Sequence, residues 1–374
     1  MSPPTLLHVC PSFEVGGAQL RTTRLIAGFG GEFKHLILPL DGCRDAERFL
    51  VDGAPVEFLD PPPRSSSPAA TRWHRRLQGQ VRPDLVCTYN WGSIDGAMAA
   101  RIPGGRPFVH HEDGFGRDEM ERPLLRRSLY RRAVLGGASA VIVPSTQLER
   151  IARDHWRLPG RRLHLIPNGI ELERYLPADR NPDLRAELGL PADAPVIGSV
   201  GGLRPEKNAG RLIDVHAALP EELGAWLVLV GDGSERADLE ARARATAAGE
   251  RVVFVGLVTD PIPYLRCFDL FALTSDTEQM PLALVEAMAC SLPAIASDVG
   301  DTRAVLPEEQ HRHVVHLDTE DPVSRLATAA EALLNDREER RRLGELNRAR
   351  VAQEFDLETM LERYRRLYLA AIGV

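Results

Sequence analysis

Two glutamates, Glu278 and Glu286, stand eight positions apart in the segment TSDTEQMPLALVEAMACSLPAIASD, residues 274–298. The first follows a strand-like run that ends at Thr274. The second falls inside a helix-like run, Ala283 to Ala289. The spacing predicts one carboxylate on a strand-to-helix loop and the other about two turns into the helix that the loop opens. In open parallel sheets, loops at the carboxyl ends of strands are where ligands bind. A short polar residue, a bend at Pro281 and a helix start would aim backbone N–H groups at one spot. Carboxylates can hold sugar hydroxyls and N–H groups can hold phosphate, so the segment reads as a site for a sugar attached to a phosphate.

Four other stretches could contribute. GGLRPEKN (201–208) follows a strand-like run, Val196–Val200, and precedes a helix beginning near Asn208. Gly201 and Gly202 allow close backbone approach, while Arg204 and Lys207 place two cations at the helix mouth, where a diphosphate would sit. An exposed turn with ordinary surface charges would look the same. PSFEVGGAQL (11–20) brings Gly16 and Gly17 to a helix start after the first strand; a tight packing turn is the plainer alternative. No GxGxxG follows any strand, which counts against a nicotinamide or flavin dinucleotide. HHEDGFG (110–116) follows a strand expected at Pro107–His110, and His111 could donate to a sugar hydroxyl or contact an acceptor. A metal is disfavoured there, because adjacent strand residues point to opposite faces and no HExxH occurs. GDGSE (231–235) is a tight turn near a ligand or a plain loop.

These loops need elements to hold them. Short apolar runs without alternation, seven in the first half and six in the second, read as parallel strands covered on both faces, with helical stretches between them. A chain of 374 residues suggests two domains. The expected division is a first Rossmann-like domain at 1–176, a polar, proline-rich linker at 177–195, a second domain at 196–352, and a C-terminal helix at 353–374 capped by Asp356. PPPRSSSP (61–68) is expected to be a surface loop.

Charge is uneven. Residues 1–176 hold 24 Lys+Arg and 19 Asp+Glu, whereas residues 177–374 hold 22 and 34. The overall −7 argues against nucleic acid as the main partner. Arg126, Arg127, Arg131 and Arg132 form a cluster that would suit an anionic membrane surface or an acidic acceptor, and equally a solvated helix face. Lys34 and Lys207 are the only lysines. Five scattered cysteines read as reduced thiols of a cytoplasmic protein, and no apolar run is long enough to span a bilayer.

Taken together, in order and at these intervals, the motifs resemble those of the retaining glycosyltransferases of the GT-B fold, family 4 or group 1. The glutamate pair followed by EAMACSLPAIASD carries most of the resemblance. GGLRPEKN, IPNGIELERY (166–175) and GGAQ (16–19) add to it. The resemblance implies two Rossmann-like doubly wound domains facing across a cleft, with the C-terminal helix crossing back to the first. It implies a nucleoside diphosphate sugar of UDP or GDP type as donor, no metal or other cofactor, and a glycan or lipid-linked acceptor, with peripheral attachment to the inner face of the cytoplasmic membrane conceivable. By position, Glu278 would touch the donor sugar near the reacting carbon and Glu286 the ribose hydroxyls. Arg204 and Lys207 would grip the diphosphate, with Gly202 beside them. Backbone from Gln279, Met280, Pro281 and Leu282 would border sugar and phosphate, Gly16 and Gly17 the donor phosphate and acceptor, and His111 the sugar. The chain departs from the usual pattern with Glu278-Gln279-Met280 in place of Glu-Gly-Phe, with Val299-Gly300-Asp301 in place of Val-Gly-Gly, and with Gln19 in place of glutamate.

Rival readings are a phosphorylase of similar shape, which needs a lysine for a pyridoxal phosphate Schiff base, a nucleotide-sugar epimerase, and a non-catalytic homologue that only binds.

Overall fold

The computed structural model describes residues 2–63, 67–114, 124–177 and 181–374. The chain forms two compact units, 1–169 with 357–374, and 170–356. In the first, strands β1 (Thr5–Cys10), β2 (Lys34–Pro39), β3 (Val56–Phe58), β4 (Leu85–Tyr89), β5 (Phe108–His111), β6 (Ala140–Val143) and β7 (Leu163–Leu165) make one parallel sheet in the order β3-β2-β1-β4-β5-β6-β7. In the second, β8 (Val196–Val200), β9 (Trp226–Val230), β10 (Val252–Gly256), β11 (Leu270–Leu273), β12 (Ala294–Ser297) and β13 (Val314–Val315) make a parallel sheet in the order β10-β9-β8-β11-β12-β13. The strands read from apolar runs are thus parallel, and they are buried except at edges such as β3 and β10, which are partly exposed. Each order reverses once, between β1 and β4 and between β8 and β11. At such a reversal the flanking loops splay apart and leave a crevice.

The boundary lies elsewhere than the linker expected at 177–195. Ile170, Tyr175 and Leu190 are buried in the core of the second unit with Phe268, Leu284 and Met288. The buried Arg185 donates to the carbonyls of Cys267 (3.2 Å), Pro191 (2.6 Å) and Ala194 (2.9 Å). A polar, proline-rich composition hid these few anchors. The chain passes between units after Gly169 and again after Asp356. Part of the stretch expected as a loop at 61–68 lies outside the described residues, and a helix already begins at Ser67.

The C-terminal helix, Leu357–Ile372, belongs to the first unit. Leu357, Met360, Leu361, Tyr364 and Tyr368 enter the same core as Leu6, Ile26 and Val109. A Cβ on Gly28 would overlap Leu361, so the helix lies directly on Gly17–Phe29.

Beneath it runs a buried polar chain. His8 Nδ1 is 2.7 Å from Tyr89 Oη and its Nε2 is 3.0 Å from His35 Nδ1. Burial pushes His8 and His111 well below their usual range, and brings His35 and His74 down to about 4. These imidazoles stay neutral in the folded chain and protonate near 6.5 once unfolded. Above that pH they contribute no difference. As pH falls from about 6.5 towards 4 each shifts the balance to the unfolded state, by up to about 1.4 kcal/mol per pH unit. Thermal unfolding followed by circular dichroism should therefore show Tm dropping steadily below pH 6.5. A flat Tm down to pH 4.5 would contradict neutral burial.

Candidate functional site

In the second unit the sequence places two loops side by side at the reversal. The loop after β8 runs through Gly201 and Gly202 to a short turn, Pro205–Lys207, and the helix Ala209–Ala217. The loop after β11 runs from Thr274 to Pro281 and the helix Leu282–Ala289. That helix starts at Leu282 because Pro281 is its N-cap, so Glu286 stands one turn in, not two. No side chain caps its N-terminus, which leaves its first-turn N–H groups directed at the loop.

The loops are stitched together. Asn208 adopts the left-handed conformation (φ 44°) and caps the helix through its side chain, which accepts from Arg211 N at 3.0 Å. The Asn208 amide donates to both oxygens of Asp276 at 3.1 Å. Arg211 donates to Asp276 at 2.6 Å and to the Thr274 carbonyl at 2.7 Å. Asp276 N in turn donates to Glu206 O at 2.9 Å.

This register brings Lys207 to Glu278. The Lys207 Nζ is 2.6 Å from Glu278 Oε1, which also accepts from Ser275 Oγ at 2.7 Å. The Glu278 side chain is 8% exposed and that of Lys207 29%. Glu286 is buried in the same helix-and-loop segment. Arg204 lies outside the pair: its Nε is 3.2 Å from Glu206 and it is substantially exposed. Of the expected donor residues, Gln279 is half-buried, and Met280 and Pro281 are buried.

Three glycines let backbone nest under this site. Gly231 has φ 141° and a Cβ there would overlap the Gly201 carbonyl; at Gly233 it would overlap that of Leu203. Gly300, at φ 55°, sits against the Glu278 carbonyl, and Asp301 N donates to Gln279 O at 3.0 Å. GDGSE is thus the support of the Gly201–Gly202 loop, and Val299-Gly300-Asp301 the support of the Glu278 loop.

In the first unit, the loop after β1 ends in Gly16 and the helix Gly17–Phe29, again without a side-chain cap. Arg21 of this helix, which its sequence pattern did not single out, is buried and bidentate to Asp113: Nη2 is 2.9 Å from Oδ2, and Nη1 pairs with Oδ1. Asp113 N donates to Asn90 Oδ1 at 2.7 Å, and Arg21 Nη1 is 3.4 Å from Asn168 Oδ1. Loops after β4, β5 and β7 therefore gather on one guanidinium. Burial opposes the Arg21 charge, but the Asp113 carboxylate outweighs it and holds the group above its usual pKa.

His111 stands differently from the sugar contact expected of it. It is the last residue of β5 and fully buried. Its Nδ1 is 3.2 Å from Thr88 O and its Nε2 2.9 Å from Tyr368 Oη, while its ring stacks on Tyr89 with centroids 4.5 Å apart. Both nitrogens are engaged inside the unit. The strand ends one residue later than expected, at His111, and is buried on both faces, His110 as well as His111. Residues 115 and 116 of that motif lie outside the described residues. Among the described residues no group of three or more His, Cys, Asp or Glu is placed to hold a metal ion.

The nesting predicts that Gly300→Ala lowers stability by about 2 kcal/mol or more through steric overlap and a disfavoured φ. Asp276→Ala should cost about 1–2 kcal/mol by unstitching the loops. Chemical denaturation midpoints of both variants check this; wild-type midpoints would contradict it.

The family described as glycosyl transferases group 1 matches residues 180–350, and the glycosyl transferase 4-like domain matches residues 16–169. EpsF of Bacillus subtilis (strain 168), which bears the name of a glycosyltransferase, is 33% identical over 311 residues, 78% of this chain and 79% of EpsF. The UDP-Gal:alpha-D-GlcNAc-diphosphoundecaprenol alpha-1,3-galactosyltransferase of Escherichia coli is 28% identical over 254 residues, 65% of each chain. The crystal structure of Anabaena Alr3699/HepE in complex with UDP-glucose superposes with a TM-score of 0.80 at 22% identity, covering 98% of this chain and 99% of that one. The chain belongs to the group 1 glycosyl transferases, glycosyltransferase family 4, and shares their GT-B fold of two Rossmann-like parallel-sheet units.

Proposed function

We propose that this glycosyltransferase moves a sugar from a nucleoside diphosphate sugar to the hydroxyl of a glycan or lipid-linked acceptor, with retention at the anomeric carbon. The observation that carries the reading is the Lys207–Glu278 pair beside the uncapped helix that holds Glu286. A cation and an open helix N-terminus suit a diphosphate, and two carboxylates nearby suit sugar and ribose hydroxyls. A uridine nucleotide is favoured, since UDP-glucose is bound by the Anabaena neighbour and UDP-Gal appears in the name of the Escherichia coli relative. The name of that relative, with its diphosphoundecaprenol-linked acceptor, also supports the acceptor class.

In this reading Glu286 anchors the ribose, and Glu278, oriented by Lys207 and Ser275, faces the sugar. Gln279 to Leu282 line the sugar and phosphate, and Gly202 admits the diphosphate beside Arg204. The exposed Arg204 would exchange Glu206 for the phosphate, whereas Lys207 already lies beside Glu278. The acceptor oxygen bonds to the anomeric carbon on the face from which the diphosphate departs. The carbon–phosphate oxygen bond breaks, and the acceptor proton passes to the departing phosphate oxygen. The cations stabilise the charge that develops there, with no metal required. Gly16 and Gly17 open an uncapped helix within the first unit, a start that suits an anion in its own right. His111, with both nitrogens engaged, has no part in this reading beyond holding the C-terminal helix.

Lys207→Ala should lower kcat by about 10²–10³-fold, the size seen when one charge-stabilising donor is lost. Glu286→Ala should instead raise KM for the donor. Turnover assays over UDP-, GDP- and ADP-sugars, with NMR of the product's anomeric centre, test the proposal. An inverted product, or wild-type turnover in Lys207→Ala, would overturn it.

A further inference from the structure

Where the strand order of the first unit reverses, β1 and β4 lie side by side, and the loops that follow them frame that unit's own crevice. The two loops meet at its base: a Cβ on Gly92 would stand 2.8 Å from the Pro11 side chain. The residue that opens the β4 loop is Asn90, at φ 54° and ψ 178°. Glycine takes this backbone conformation readily, whereas a residue with a side chain does so at a cost. Asparagine therefore stands where glycine would suit the backbone better.

All but one of the polar groups of Asn90 are engaged. Its N–H donates to His111 O at 2.8 Å. Its carbonyl accepts from Ser93 N at 3.3 Å and from Ser93 Oγ at 3.2 Å. Its Oδ1 accepts from Asp113 N at 2.7 Å. A backbone N–H can only donate, so the side-chain amide cannot be turned over, and Nδ2 is fixed as the remaining donor. That nitrogen has no partner among the described residues, and Asn90 is half-buried.

The neighbouring groups decide what such a donor would meet. The adjacent cation, Arg21, is buried and matched by Asp113, which leaves little positive charge for a phosphate. The Asp113 side chain is 12% exposed and can accept. A donor beside an acceptor suits a hydroxyl, which has a proton to give and lone pairs to fill. Trp91 follows, half-buried, with Tyr130 edge-on at 5.8 Å and the Arg131 guanidinium 5.0 Å from its ring. A braced aromatic ring suits the apolar face of a pyranose.

We propose that Asn90 is a specificity-determining residue for the acceptor: its Nδ2 donates to a hydroxyl oxygen of a sugar seated in the crevice of the first unit. The same hydroxyl can donate to Asp113. The backbone cost at Asn90 is thereby offset by a function that glycine could not supply. The inference names the acceptor contact of the transfer reaction and rests on that reading.

The test follows binding of methyl glycosides of glucose, galactose and N-acetylglucosamine to the full chain by saturation-transfer NMR, with UDP as a control. The wild type is expected to bind at least one of them. Asn90→Asp keeps an oxygen for Asp113 N and removes the donor. It should weaken glycoside binding by about tenfold or more and leave UDP binding as it is. Asn90→Gly removes the donor and the backbone cost together, so it should lose the glycoside with a Tm near that of the wild type. If Asn90→Asp does not fold, Asn90→Gly carries the test. In turnover assays the acceptor KM should rise in both variants, while donor hydrolysis without acceptor stays unchanged. The proposal is overturned if no glycoside binds the wild type, or if a folded variant binds it equally well. Loss of glycoside binding in a chain that transfers no sugar would leave the Asn90 contact standing and overturn the transfer reading instead.

Discussion

Asp276, held between Asn208 and Arg211, is the constraint on which the donor-side geometry depends. β8 and β11 are neighbours and parallel, but the strand order reverses between them, so the loops that leave them tend to diverge. A carboxylate shared by residues of both loops sets their register. Asn208 accepts a strained backbone (φ 44°) to take part, and its cap and its bonds to Asp276 offset that cost. With the register fixed, the Lys207 ammonium can fall only where Glu278 is. A pair held this way is preorganised, which is the condition under which fixed charges act on a developing transition-state charge.

The floor below is built from backbone against backbone. Gly231 and Gly233 meet the carbonyls of Gly201 and Leu203, and Gly300 meets that of Glu278. Each contact is too close for any side chain. The supporting turns therefore act on the site through shape, and the charged residues above them are relieved of holding the loops up. In the first unit a different device serves the same end: the buried Arg21 gathers Asp113 directly, Asn168 alongside it and Asn90 through Asp113, fixing three loop ends with one planar cation.

Much of this was legible in the chain. Short unbroken apolar runs gave the strands, because a sheet covered on both faces buries consecutive side chains and the runs are too short for helices. The glutamate spacing gave the loop-then-helix segment, and Lys207 stood out through the scarcity of lysine. What escaped were partners distant in sequence. Asp276 lies 68 residues from Asn208 and Asp113 lies 92 from Arg21, and no local pattern announces either. Residues 177–195 looked like a linker since their polar content is high, and only Leu190 and Arg185 betray the docking. The hydrogen-bond partners of His111, Thr88 and Tyr368, are likewise distant in sequence.

The C-terminal helix carries Tyr364 and Tyr368 into the interior of the first unit, and Tyr368 closes the hydrogen bond of His111. The residues that complete this interior thus leave the ribosome only after the whole second unit. While the chain is being made, the first 169 residues must wait, with a hydrophobic flank uncovered, until the second unit has been synthesised in full. The usual order, in which the N-terminal domain finishes first, is inverted here. A premature stop that spares every donor-side residue would still strand the nascent protein with its opening half unfinished.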